Sequence, residues 1–149
     1  MRKFNTTGVC ISSKHYMVDI TERVKQMKQF VDAGDYFVIN RARQYGKTTT
    51  IDALCNILLD DYQVISLDFQ DISAGSFENE GEFSKAYARI VMDAADFDGV
   101  ELPDSIAMKF REMNEKKSSD VKMDDLFRIF RYWFKEESKS IVLIIDEVD

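Results

Sequence analysis

The tripeptide Gly46-Lys47-Thr48 lies between an apolar run, Tyr36-Phe37-Val38-Ile39-Asn40, and a helical pattern that puts Ile51, Leu54, Cys55 and Leu58 on one face. Strand, polar loop and helix in that order is the layout of a phosphate-binding loop. It constrains the fold more than any other stretch, because it requires a helix N-terminus at the end of a strand.

The chemistry of the loop suits a triphosphate. A helix N-terminus offers unpaired backbone N–H groups and about half a unit of positive charge from its macrodipole. Gly46 lets the main chain approach phosphate oxygens without a Cβ in the way. Lys47 is the residue that reaches the β- and γ-phosphates, and the Thr48 hydroxyl is placed to ligate Mg²⁺. From Tyr36 to Ile51 there is no acidic residue, yet Arg41, Arg43 and Lys47 are all cationic. In a chain of net charge −7 that local sign favours an anionic ligand. In the pattern G-x-x-x-x-G-K-[ST], however, Arg41 occupies the first glycine position. The loop alone also fits a solvated, cationic turn before a helix.

A second signal lies far along the chain. Ser140-Ile141-Val142-Leu143-Ile144-Ile145 is a continuous apolar run that ends in Asp146-Glu147. Such a run predicts a parallel strand buried on both faces, and ligands bind at the carboxyl ends of parallel strands in open α/β sheets. By itself it fits an acidic strand exit facing solvent. Combined with Lys47 and Thr48, it gives Asp146 the role of orienting Mg²⁺ and Glu147 that of polarising the attacking water. On this expectation Lys47 and Asp146 meet at one edge of a common sheet.

The remaining elements follow from periodicity. Asp19 and Glu22 have capping-box spacing, with Ile20, Val24, Met27 and Val31 recurring until Gly34, a predicted C-cap. Asp60-Asp61 ends the helix after the loop. A second strand is predicted over 64–69, with Asp68 near its C-terminal end, either close to the nucleotide or in a turn or arginine-pairing role. Residues 70–81 read as a polar loop. Phe83, Ala86, Tyr87, Ile90, Val91 and Ala94 mark an amphipathic helix broken at Asp98-Gly99. Pro103 opens another, with Ile106, Phe110 and Met113 facing inward. After the polar stretch 116–120, Met123, Leu126, Phe127, Phe130, Trp133 and Phe134 form an apolar helical stripe expected in the core.

At 149 residues, 45% hydrophobic and 32% charged, the chain fits a single globular domain. The acidic balance argues against a general nucleic-acid binder. Cys10 and Cys55 have neither metal nor disulfide spacing. No apolar stretch approaches the length needed to cross a bilayer, and no secretory signal is evident, which predicts a cytoplasmic setting.

Three stretches resemble the bacterial AAA-ATPase-like proteins often fused to a C-terminal PD-(D/E)XK nuclease domain. Tyr16-Met17-Val18-Asp19-Ile20-Thr21 is similar to that family's YxVDKT segment. Arg41-Ala42-Arg43-Gln44-Tyr45-Gly46-Lys47-Thr48 is similar to its phosphate loop R-P-R-R-F-G-K-[ST], which places an arginine where the first glycine would be. Ile65-Ser66-Leu67-Asp68-Phe69 matches the strand that follows. The likeness covers about residues 15–147.

The resemblance implies an α/β, three-layer P-loop NTPase fold (ASCE/AAA-like) in truncated form, a parallel sheet flanked by helices. Residues 1–149 would be its N-terminal part, ending just after the Walker B strand. It also implies ATP and Mg²⁺ as cofactors. Arg41, Ala42, Arg43, Gln44, Tyr45, Gly46, Lys47, Thr48 and Thr49 would bind nucleotide, Thr48 and Asp146 the metal, with Lys47 and Glu147 catalytic. No stretch remains for the strand that carries a γ-phosphate sensor, so the chain is expected to be one piece of a longer protein and a poor ATPase alone. Self-association is open, no membrane partner is expected, and nucleic acid would be met only through a C-terminal domain outside this chain. The alternatives are a non-catalytic nucleotide switch and a P-loop kinase acting on a small molecule.

Overall fold

A computed structural model describes residues 20–40 and 46–146, divided between a first unit of residues 1–60 and a second of residues 61–149. In the first unit, α1 (Thr21–Asp32) buries Val24 and half-buries Met27 and Val31. It ends where the periodicity stops. Gly34 takes φ 75°, its N–H reaches Val31 O at 2.9 Å, and Asp35 N reaches Phe30 O at 2.9 Å. That pair of bonds is a Schellman cap, which needs a residue tolerant of positive φ at this position. Asp19, the expected N-cap, lies outside the described residues; Ile20 stands at the N-cap without a side-chain bond.

The strand expected over 36–40 does not form. Tyr36 and Val38 are exposed, and the ring of Phe37 lies against that of Phe30, at 5.6 Å between centroids. An apolar run becomes a strand only if another strand satisfies its N–H and C=O groups. Among the described residues nothing pairs with it. The chain then enters α2 (Lys47–Leu58), which buries Leu54 and Leu58 as the pattern requires, together with Thr50. α1 and α2 pack against each other.

The second unit holds the sheet, and it has two strands. β1 (Gln63–Asp68) runs parallel to β2 (Ile141–Asp146), with Ile65 opposite Leu143 and Asp68 opposite Asp146. Between them come α3 (Glu80–Phe97), α4 (Asp104–Glu115) and α5 (Met123–Glu136). One face of the sheet meets the helices: Ile65 and Leu67 are buried in a core with Val91, Phe110, Leu126 and Trp133. The described chain is thus mostly helical, with five α-helices and one two-stranded parallel sheet. This corrects the expected three-layer α/β architecture, which needs a wider sheet covered on both faces.

Three finer expectations also change. β2 is not buried on both faces: none of its residues is fully buried, and Ile145 is exposed. Of the expected stripe of α3, Ala86 and Val91 are buried, but the other buried residues are Gly81, Ser84, Ala88 and Ala95, while Phe83, Tyr87, Ile90 and Ala94 are half-buried. Small side chains let the α3 backbone come close to its neighbours, so the bulky residues fill the margins. On α5 the core takes Leu126, Ile129, Phe130 and Trp133, but Phe127 and Phe134 remain exposed.

Candidate functional site

Gly46 occupies the N-cap of α2 with φ 75° and ψ 28°, a left-handed turn that aims the chain into the helix. A side chain at this position would be strained, even though nothing lies within 4 Å of an added Cβ. The first turn has neither a side-chain cap nor an acidic residue. This is the positive end of the helix macrodipole, the end that favours an anion.

The three threonines that follow are not equivalent. Thr50 is buried, and its Oγ1 donates to Gly46 O at 2.9 Å, alongside its own N–H at the same distance. That hydroxyl is committed to holding the turn. Thr48 is exposed, so its hydroxyl faces solvent, whereas Thr49 is half-buried. Of the three, Thr48 is the one that the local packing leaves exposed. The amides, Lys47 and Thr48 fit a magnesium-bound polyphosphate in chemical type. Arg41, Ala42, Arg43, Gln44 and Tyr45 lie outside the described residues.

In the second unit the strand ends carry carboxylates. The register places Asp146 of β2 directly beside Asp68 of β1, at the carboxyl end of both strands. Neighbouring positions on parallel strands share a face, so the two carboxylates stand on the same side of the sheet at that end. Asp68 also has a turn role: its Oδ1 accepts from Gln70 N at 2.8 Å and starts the 3₁₀ turn Phe69–Asp71. The sequence offered these uses of Asp68 as alternatives, but it gave no sign that Asp68 would adjoin Asp146. Glu147 lies outside the described residues. Among the described residues no group of three or more His, Cys, Asp or Glu side chains is placed to hold a metal by itself.

A recess of about 370 Å³ in the second unit is lined by Gln63, Glu101, Leu102, Pro103, Asp104 and Glu137. Its three carboxylates have the wrong sign for a phosphate. Two of its residues serve the core: Glu137 accepts from Trp133 Nε1 and from Gln63 Nε2, each at 3.0 Å. The recess is no candidate for the nucleotide.

The chain matches no known protein family, no curated protein and no solved structure. Among the described residues no helix is long and apolar enough to cross a membrane.

Proposed function

We propose that the chain binds ATP with Mg²⁺ through the turn at Gly46 and the first turn of α2. The observation that carries this is the conformation of Gly46. It is a left-handed residue at the head of a helix, followed by Lys47 and the exposed Thr48, with no acidic residue in the helix's own first turn and no side-chain cap on it. In this reading the N–H groups and Lys47 hold the phosphates, and Thr48 Oγ1 contributes to the metal. Bound Mg²⁺ would neutralise phosphate charge.

The strand-end carboxylates extend the reading to hydrolysis. Asp146 is assigned to the metal and Glu147 to the attacking water, and what supports this is that Asp146 stands at the carboxyl end of a parallel strand, where ligands bind in open sheets. An ATPase whose nucleotide state drives a conformational or effector output is the leading form of the proposal. A switch that binds nucleotide without turning it over is the second. The cytoplasm, where ATP and thiols such as that of Cys55 are maintained, is the setting it implies.

The test is titration with a fluorescent ATP analogue, with and without Mg²⁺. Lys47→Ala should weaken binding at least tenfold, a loss of about 1.4 kcal/mol. Thr48→Ala should remove most of the magnesium dependence. Unchanged binding in Lys47→Ala would remove the site. Glu147→Gln then separates the two forms: it should abolish any turnover while leaving binding intact.

A further inference from the structure

Two surfaces of the second unit carry opposite charge, each beside exposed aromatic rings. The first is the end of α3. Phe97 is 90% exposed there, with Asp93, Asp96 and Asp98 around it, all exposed, and Glu101 just beyond. The last turn of α3 has no basic residue. Asp98 Oδ2 already accepts from Ser66 N at 2.8 Å, but Asp93 and Asp96 stand exposed near the negative end of the helix dipole beside an uncovered aromatic ring, an arrangement that a cationic partner would relieve.

The second surface is the outer face of α5. Phe127, Arg131 and Phe134 follow one another at i, i+4 and i+7, so they share a face, and Arg128 and Lys135 lie beside them. Phe127 is 51% and Phe134 46% exposed. Phe134 stacks on Phe130 with rings 5.7 Å apart and 5° from parallel, which fixes its position from below. Arg128 makes only a long contact with Asp125, at 3.7 Å. Among the described residues Arg131, Lys135, Asp93 and Asp96 make no ion pair or side-chain hydrogen bond. The exposed carboxylate of Asp124 lies on the same face, three residues before Phe127 and seven before Arg131, so three cations against one acid leave it positive on balance in a chain of net charge −7.

We infer that the chain associates head to tail with a second copy of itself, the acidic Phe97 corner of one seated on the α5 face of the next. Charge complementarity selects this occupant. Each molecule carries both halves, while its overall negative charge opposes any approach that does not bring these two surfaces together. The two patches differ, so the contact is heterologous and builds rings or open chains rather than a two-fold dimer. Both patches lie within the second unit, and the inference does not depend on nucleotide binding.

Sedimentation velocity on the full chain tests it. Across a concentration series at low ionic strength, the mean sedimentation coefficient should rise. Near 1 M salt, where the Debye length falls to about 3 Å, the rise should largely disappear. The pair Asp93→Lys and Asp96→Lys, and separately the pair Arg131→Glu and Lys135→Glu, should each weaken association by about tenfold or more, because attraction becomes repulsion. Mixing the two reversed chains should restore a complex, since the acidic α5 face of one now meets the basic corner of the other. Phe97→Ser, which leaves every charge in place, should weaken association with an unchanged melting curve. A wild-type chain that stays monomeric throughout overturns the inference. So does association that neither reversal affects, or a mixture that stays monomeric.

Discussion

Replacing Gly81 by alanine should destabilise the second unit even though alanine is the better helix former. Gly81 lies in the first turn of α3, between Glu80 and Glu82, and Asn79 Oδ1 caps that turn by accepting from Glu82 N at 2.9 Å. On helix propensity alone the change would gain up to about 1 kcal/mol. Space reverses the sign. An added Cβ would lie 2.7 Å from the carbonyl carbon of Ser118 and 3.1 Å from its Cα, and it would overlap the carbonyl oxygen outright. These are backbone atoms, so no side-chain rotation relieves the clash. Either α3 or the turn Ser118–Asp120 must move.

That movement strains a set of contacts with few alternatives. Ser118 Oγ donates to Glu82 Oε1, Lys85 Nζ donates to Lys116 O at 2.7 Å, and Met123 N donates to Glu80 Oε1 at 2.8 Å. Overpacking a close contact costs about 1–3 kcal/mol, and disturbing one or two of these bonds adds about 1 kcal/mol. Subtracting the propensity gain leaves a net loss of about 2 kcal/mol. Trp133 is the single tryptophan and is fully buried, so its fluorescence reports unfolding in urea. The midpoint should fall with an unchanged slope. Gly75→Ala is the control: its φ is not positive, and its nearest neighbour, Glu78 Oε1, is 4.0 Å away, so its stability should stay within about 0.5 kcal/mol. A Gly81→Ala chain as stable as wild type would refute the close approach of α3 to the 118–120 turn.

Other outcomes follow from the same packing. Trp133→Ala should cost about 3–5 kcal/mol in calorimetry, because it empties a fully buried site and strips one of the two donors from Glu137. Burial raises the pKa of Tyr87 above its ordinary 10.0. The folded state therefore keeps that proton at a pH where the unfolded chain has begun to lose it. The stability so gained is complete below about pH 10 and declines as pH rises through the raised value. Alkaline melting curves of Tyr87→Phe should show a shallower decline than wild type. Asp68→Asn keeps an acceptor for Gln70 N but removes one of two adjacent strand-end charges. Its stability in urea titration should stay within about 0.5 kcal/mol of wild type, and a larger loss would show that the turn needs the charge of Asp68 and not only its acceptor.

Elements whose signal is local were legible from the residues. Gly34 and Gly99 end α1 and α3 at positive φ, and Ile106, Phe110 and Met113 face inward on α4. Gly46, Lys47 and Thr48 open α2 as the motif requires. Each rests on neighbours within one or two turns, and a helix closes its own hydrogen bonds over that distance. The exposed ring of Phe134 was harder to foresee, since periodicity shows that a residue lies on an apolar arc but not where the neighbouring helices end.

Pairing, by contrast, was decided by tertiary structure. Tyr36–Asn40 and Ile141–Ile145 are apolar runs of the same kind, yet only the second is a strand, because only it has β1 beside it. The expected layered sheet therefore shrank to two strands. The adjacency of Asp68 and Asp146, and the contact of Gly81 with Ser118, also join residues far apart in the chain. A strand obtains its hydrogen bonds from another segment, so its own residues set how well it would pair but not whether a partner arrives.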